Sequence, residues 1–461
     1  MEPRTMSLLA QITRGDSVVA RAFRGAGLTI FGFGWGQMMR LASNLILTRL
    51  LFPEAFGLMA LITVFLMGLN MFSDVGVAPA ILQSKRGDER NFLDTAWTIQ
   101  VIRGALLWLA ACVLAWPVAL IYDVPELAYM LPVAALTLLI KGFLTTRYFE
   151  ANRHLRLGRI TAIDMITQAV GLVAAIVLAF ALQSVWALIL SGIISGLVEV
   201  LIYERFLPGP RNRFRWEKRA ARELISFGKW IFLSTVAGFV ISQADKLLIG
   251  KYLPLEQFGV YNIGYFLASF PLLLGGVLVN RLLIPIYREW PPAKSRENFL
   301  KLRKMRMIVT GALMAMIAAL GLAGVPLVGF LYDPRYAAAG AITVMIAMMQ
   351  IPLLIALTYD QAALAAGDSR RFFVLAATKA VLIVAGLWIG LETAGLLGAI
   401  IGQGAAMVLA YPVVVWLSKH MEAWDPLHDA VFAFLGLLVI WVCYRANQPY
   451  LASLAESGTV S

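Results

Sequence analysis

Apolar positions along this chain come in blocks of 18 to 25 residues separated by short polar turns. A block of that length can cross a hydrocarbon core of roughly 30 Å. Backbone in lipid must satisfy its own hydrogen bonds, so the predicted elements are helices. Turn signals place thirteen spans near residues 25–50, 55–83, 92–121, 126–149, 159–182, 184–206, 223–252, 256–287, 306–331, 338–364, 371–391, 394–418 and 428–445. The expected fold class is therefore all-α, a polytopic membrane bundle of about thirteen helices.

The polar turns are not alike. Alternate turns hold 28 basic residues, among them Arg4, Arg14, Arg86, Arg90, Arg147, Arg153, Arg156, Arg159, Arg213, Arg215, Lys294, Arg303, Arg306 and Arg371. The other set holds four, Arg49, Lys251, Arg335 and Arg445. The positive-inside rule then predicts a cytoplasmic N-terminus, and an odd helix count puts residues 446–461 outside. The first apolar run is too long for the core of a cleaved signal and is expected to remain as the first span.

Composition agrees with this picture. Hydrophobic residues make up 60% and charged residues 14%, with a mean hydropathy of +0.78. A soluble chain is nearer a quarter charged. The net charge of +12 follows from the basic turns and implies anionic membrane lipids as partners, with no nucleic acid. Cys112 and Cys443 lie in apolar blocks and make no disulfide framework. His154, His420 and His428 lack metal-ligand spacing, so no metal, haem or other cofactor is expected.

The chain also repeats itself. The turn LTRLLFPEAFGLMA (Leu47 to Ala60) matches IGKYLPLEQFGVYN (Ile249 to Asn262) at a shift of 202, pairing Arg49 with Lys251, Glu54 with Glu256, Phe56 with Phe258 and Gly57 with Gly259. IYD at Ile121 to Asp123 matches LYD at Leu331 to Asp333. Six helices per copy is an even number, so both copies enter from one side and form parallel repeats, with a site between them. The predicted organisation is an N-lobe over 1–206, a basic linker over 207–222, a C-lobe over 223–420, and an additional helix and tail over 421–461. Pro208, Gly209 and Pro210 break the linker.

These motifs, together with FSDVGVAPAILQ (Phe72 to Gln83), WTIQVIRG (Trp97 to Gly104), SFGKW (Ser226 to Trp230) and QADKLLIGKYLPLEQFGVYN (Gln243 to Asn262), resemble the polysaccharide transporter branch of the multidrug/oligosaccharidyl-lipid/polysaccharide exporter superfamily. That branch includes O-antigen and exopolysaccharide repeat-unit flippases. The resemblance implies a two-lobed, MATE-like bundle with alternating access in the bacterial inner membrane. It implies an undecaprenyl-diphosphate-linked oligosaccharide as substrate, and a polysaccharide polymerase or chain-length regulator as partner. Many members of the branch have fourteen helices, whereas the tail here is too short and polar for a fourteenth.

An ionisable group deep in a bilayer costs at least roughly 2.5–3.5 kcal/mol and is kept where it is paired, hydrated or useful. Arg40, Asp74 and Arg103 lie roughly 15 Å from either surface, and Lys141, Asp245, Lys246, Arg281 and Lys379 about 10 Å deep, at 1.5 Å per residue. A diphosphate leaving water needs cations, and arginine engages it bidentately. The expected substrate-binding set is Arg40, Arg281, Arg103, Lys246 and Lys379. The alternative is structural pairing, Arg40 with Asp74 or Lys246 with Asp245. Asp74 and Asp245 are otherwise candidates for ion coupling. Lys229, Asp164, Glu199 and Asp360 lie near enough to the inner surface to snorkel. Trp35, Gln37, Trp97, Gln100, Asn262, Tyr265 and Asn280 offer aromatic faces and amides suited to sugars.

No catalytic constellation is visible, and an enzyme is not expected. A lipid-linked peptidoglycan-precursor flippase would share the cationic cavity. A multidrug cation antiporter would favour acidic groups. A glycan polymerase or ligase would need a large outer loop, and every outer turn here is short.

Overall fold

The structure, a computed structural model, describes residues 18–73, 76–154, 156–228, 232–279, 283, 287, 289, 291–359, 362 and 368–457. Among these there is no strand. The helices are α1 (Val18–Leu50), α2 (Pro53–Phe72), α3 (Val77–Gln83), α4 (Arg90–Tyr122), α5 (Leu127–Ala134), α6 (Leu136–Gly142), α7 (Arg147–Arg153), α8 (Leu157–Leu182) and α9 (Trp186–Phe206). They continue as α10 (Lys218–Gly228), α11 (Phe232–Tyr252), α12 (Leu255–Ala268), α13 (Phe270–Leu278), α14 (Arg296–Leu331), α15 (Ala338–Met349), α16 (Ile351–Ala356), α17 (Ser369–His420) and α18 (Pro426–Ser457).

Among the described residues, seven helices are long and apolar enough to cross a membrane, and two bent pairs raise the number to nine. The expected thirteen exceeds that number, and α17 accounts for one span of the difference. Its 52 residues include non-helical backbone at Ala394 and Gly395, where it folds back as two of the expected spans. The two arms approach through glycines four apart. A Cβ on Gly390 would lie 2.1 Å from the Gly398 carbonyl oxygen, and one on Gly402 would lie 2.0 Å from that of Gly386. Only small residues allow this backbone contact between membrane helices.

The chain forms two compact units. Unit 1 contains residues up to Leu51 and Phe65–Leu233, and unit 2 contains Phe52–Val64 and Ser234–Ser461. In unit 1 the basic linker is docked rather than loose. The backbone N–H groups of Arg213, Arg215 and Glu217 donate to Asp94 Oδ1 (3.1 Å), Thr98 Oγ1 (2.9 Å) and Thr95 Oγ1 (3.1 Å). Alternation along an extended strand of backbone brings every second N–H to the first turns of α4. Beyond it, α10 buries Ala220, Ala221 and Leu224 against Val77, Ile81, Phe92 and Ala96, while its charged face stays exposed.

Unit 2 is built around Leu283, Leu302, Leu313, Ile317, Ile351 and Leu354, with Phe432 of α18 packed into the same core. The motif turn at Pro53 belongs to this unit, where Phe56 meets Tyr336 edge-on at 5.9 Å between ring centroids.

Candidate functional site

Unit 2 carries the densest group of expected residues. Asp245 and Lys246 are consecutive on α11, so their side chains diverge by about 100°. Asp245 is buried and accepts a hydrogen bond from Tyr261 Oη at 2.8 Å. Lys246 Nζ donates to Gln243 Oε1 at 3.2 Å and sits 4.5 Å from the ring centroid of Tyr265. Among the described residues no ion pair joins the two, so the alternative of a Lys246–Asp245 pair gives way to two separate neighbourhoods. Tyr261 and Tyr265, one turn apart on α12, link them with ring centroids 6.0 Å apart.

Tyr265 also lines a cavity of about 90 Å³ with the amides of Gln350 and Gln403 and the apolar side chains of Ile346 and Ile383. That volume holds about three waters. Gln350 Oε1 is buried without a hydrogen-bond partner, which marks the cavity as a place for a polar guest. Lys379 is buried on α17, one helical turn before Ile383.

In unit 1, Arg40 lies exposed on α1. Arg103 projects from the middle of α4 toward the end of α2. Its Nε donates to Ser73 Oγ at 3.0 Å, and Nη2 donates to the Asn70 carbonyl at 2.6 Å and Asn70 Oδ1 at 2.8 Å. The last carbonyls of a helix lack intrahelical donors, and a cation there also meets the favourable end of the helix dipole. Arg103 thus terminates α2, spending most of the donors expected to face substrate. Arg281 and Asp74 lie outside the described residues, as do Lys229, Asp360 and Asn280.

The residues chosen for sugar recognition are mostly committed elsewhere. Trp35 Nε1 donates to the Met165 carbonyl at 3.3 Å, and Trp97 Nε1 to that of Phe143 at 3.3 Å. Gln100 Nε2 reaches the carbonyls of Lys141, Gly142 and Leu144 at 3.1–3.2 Å, satisfying the break after α6. Asn262 bonds its own helix at Phe258. Gln37 is buried with Nε2 unpartnered, and Tyr265 faces Lys246, so these two keep free polar capacity. Asp164 accepts from Tyr203 Oη, and Glu199 pairs with Lys141 at 3.9 Å, so both acids have protein partners.

A polar knot in unit 2 was not expected. Arg306, read from sequence as a loop cation, is fully buried. It donates to the Ala423 carbonyl at 2.5 Å and to Tyr287 Oη, and stands 4.3 Å from the Tyr359 ring centroid. Arg303 forks onto Asp425 at 2.5 and 2.8 Å. Asp429 accepts from Tyr359 Oη (2.7 Å), Tyr411 Oη (2.5 Å) and Trp424 Nε1 (3.1 Å), and lies 2.9 Å from His428 Nδ1. The knot ties α18 to α14 and α17. The sequence signal was the spacing: Arg303 and Arg306 three apart at the head of one apolar run, and Asp425, His428 and Asp429 within five residues at the head of another. Among the described residues no group of three His, Cys, Asp or Glu side chains could hold a metal.

In unit 2, the neutral amides and phenol beside Lys246 make a neighbourhood that can bind an anion carrying hydroxyls.

The comparisons with known proteins follow the same line. The family described as "Polysaccharide biosynthesis protein" matches residues 46–340. Among curated relatives, the succinoglycan biosynthesis transport protein ExoT of Rhizobium meliloti is 26% identical over 55% of this chain and 51% of its own length. The teichuronic acid biosynthesis protein TuaB of Bacillus subtilis is 22% identical over 51% of this chain and 50% of its own. The chain thus spans about half the length of these relatives. Among solved structures, the lipid II flippase MurJ in an inward closed conformation has a TM-score of 0.65 at 11% identity, covering 92% of this chain and 93% of that one. An inward-facing multidrug resistance MATE family transporter has a TM-score of 0.62 at 15% identity, covering 84% and 95%. The fold is shared with both.

Proposed function

The chain belongs to the polysaccharide biosynthesis protein family, and from that premise we propose that it flips an undecaprenyl-diphosphate-linked oligosaccharide repeat unit from the cytoplasmic to the periplasmic leaflet. It does so by alternating access of its two repeats, for lipopolysaccharide or exopolysaccharide assembly. The proposed setting is the bacterial inner membrane, with the N-terminus in the cytoplasm and a polymerase or chain-length regulator downstream.

The observation that carries this reading is Lys246. Its ammonium sits on an apolar helix, and its partners among the described residues are a neutral amide and an aromatic ring. Lys246 is half-buried, and a cation held partly out of water with no carboxylate beside it is open to an arriving negative charge. A diphosphate supplies that charge, and Tyr265, Gln350 and Gln403 supply partners for hydroxyls. We assign Arg40, Arg281, Arg103 and Lys379 to the same anion path, with Arg103 in a positioning role at the end of α2. Asp245 and Asp74 are assigned to ion coupling; Asp245 is buried and accepts a hydrogen bond from Tyr261 Oη.

A multidrug cation exporter would place acids where Lys246 and Lys379 stand. The test is complementation of a strain lacking its own repeat-unit flippase. Lys246→Gln should lose surface glycan while the protein stays at normal abundance in the membrane. Undiminished glycan with that variant and with Arg40→Gln would remove the phosphate-binding role.

A further inference from the structure

Unit 1 holds a basic site of its own, built from residues other than those assigned above. An open cleft of about 760 Å³ lies where the turn between α7 and α8 faces the start of the linker, and Arg147, Glu150, His154, Arg156, Arg159 and Gly209 are among its lining residues.

The wall is rigid. Arg147 is only 5% exposed, and its guanidinium donates to the carbonyls of Glu204 (2.9 Å), Leu207 (3.1 Å) and Pro210 (3.0 Å) and to Glu204 Oε1 (3.3 Å). Gly209 has φ +137°, and a Cβ there would press on Arg147 Cγ at 3.3 Å, so the linker backbone closes directly over this side chain. His154 is occupied by Asp88 at 2.8 Å. The mouth is different. Arg156 and Arg159 are exposed, and no carboxylate or carbonyl among the described residues engages either guanidinium. Glu150 is the one acidic group in the lining, so the cleft presents an excess of positive charge. Gly158 of the first turn of α8 lies between the two arginines, and that helix start has no side-chain cap. Its free amides add to the attraction for an anion.

The surroundings select the kind of anion. The cleft sits at the ends of α8 and α9, two helices apolar enough to cross a membrane, and Phe206, next to the lining residue Leu207, is 64% exposed. Basic pockets at the ends of membrane helices suit lipid phosphates, which bring their own hydrocarbon.

We infer that Arg156 and Arg159, on a wall built by Arg147 and Gly209, bind the phosphate head group of an anionic membrane lipid. Because Pro208 and Gly209 form the opposite side of the cleft, the bound lipid braces the start of the linker that leads out of unit 1.

The test is native mass spectrometry of the full-length protein with dioleoylphosphatidylglycerol against dioleoylphosphatidylcholine. The wild type should retain phosphatidylglycerol preferentially. Arg156→Gln with Arg159→Gln should weaken that retention roughly tenfold or more, given the contribution of each basic side chain near a lipid surface. Lys218→Gln with Arg219→Gln removes the same charge from exposed positions of α10 and should change it little. Equal loss in both double variants would mean bulk charge only and overturn the site. Binding of inorganic pyrophosphate that depends on Arg156 and Arg159, with no preference for phosphatidylglycerol, would overturn the lipid assignment in favour of a soluble phosphate.

Discussion

Gly57 and Gly259, equivalent positions of the internal repeat, meet backbone to backbone. A Cβ on Gly57 would lie 2.2 Å from the Leu255 carbonyl oxygen, and one on Gly259 would lie 1.9 Å from that of Pro53. Positions 53 and 255 are also related by the shift of 202, so the contact is reciprocal. Each turn fills the space that its copy leaves open, as a two-fold contact requires. The glycines in the matched motifs are there because no larger residue fits.

Gly259→Val is therefore expected to destabilise the protein at or beyond the upper end of the roughly 1–3 kcal/mol seen for overpacked cores. The clashing atom is backbone oxygen, which has little room to yield. Thermal unfolding in detergent should show a lower midpoint for Gly57→Val and Gly259→Val alike, whereas Gly276→Val, with nothing within 4 Å, should change it less.

The polar knot makes a second prediction. Asp429→Ala leaves the Tyr359 and Tyr411 hydroxyls, the Trp424 indole and His428 without their shared acceptor. Each buried donor left unmade costs about 1–3 kcal/mol. Tyr411→Phe removes one bond and should cost about 1 kcal/mol. Limited proteolysis should therefore release α18 readily from the alanine variant and slowly from the phenylalanine variant.

The same knot is sensitive to acid. Burial pushes the Asp425 carboxyl up, but the Arg303 fork and the His428 N–H outweigh it and hold the group below its ordinary 3.8. A depressed carboxyl stabilises the fold fully above about pH 4 and loses that contribution as pH falls through the still lower folded value. Unfolding midpoints should fall between about pH 4 and 2 in the wild type. In Asp425→Asn they should start lower at neutral pH and change less over that interval.

How far the sequence revealed these features depended on which physics was involved. The two arms of α17 were legible as spans near 371–391 and 394–418 because bilayer thickness sets their length, and the Ala394–Gly395 turn falls at the break. Gly57 and Gly259 were legible as a pair through their shared motif, though not as a contact. Arg306 was misread because its position at the head of an apolar run looks like a loop; only the tertiary approach of Tyr287, Tyr359 and Ala423 makes it a core residue. Arg103 was recognised as deep, but depth alone cannot tell a ligand from a helix cap. Lys246 was legible as an embedded cation, and its neutral partners emerged only from the packing of α12 against α11.

Topology gives a prediction independent of any site. With Cys112 and Cys443 replaced, Gln257→Cys on the motif turn should react with an impermeant thiol reagent in intact cells, and Lys85→Cys should not. Both residues are exposed. The opposite pattern would invert the orientation drawn from the 28-to-4 charge asymmetry.

The central claim is translocation of a diphosphate-linked lipid with a cation at Lys246 assisting it. The most direct measurement is a vesicle assay with the purified full-length protein and a fluorescent undecaprenyl-diphosphate oligosaccharide, reading how much label becomes accessible to an impermeant quencher. Wild-type vesicles should expose label faster than protein-free vesicles, and Lys246→Gln should slow this roughly tenfold, the loss expected for about 1.4 kcal/mol of charge stabilisation. A wild-type rate no greater than that of protein-free vesicles, from protein that remains folded, would contradict the account.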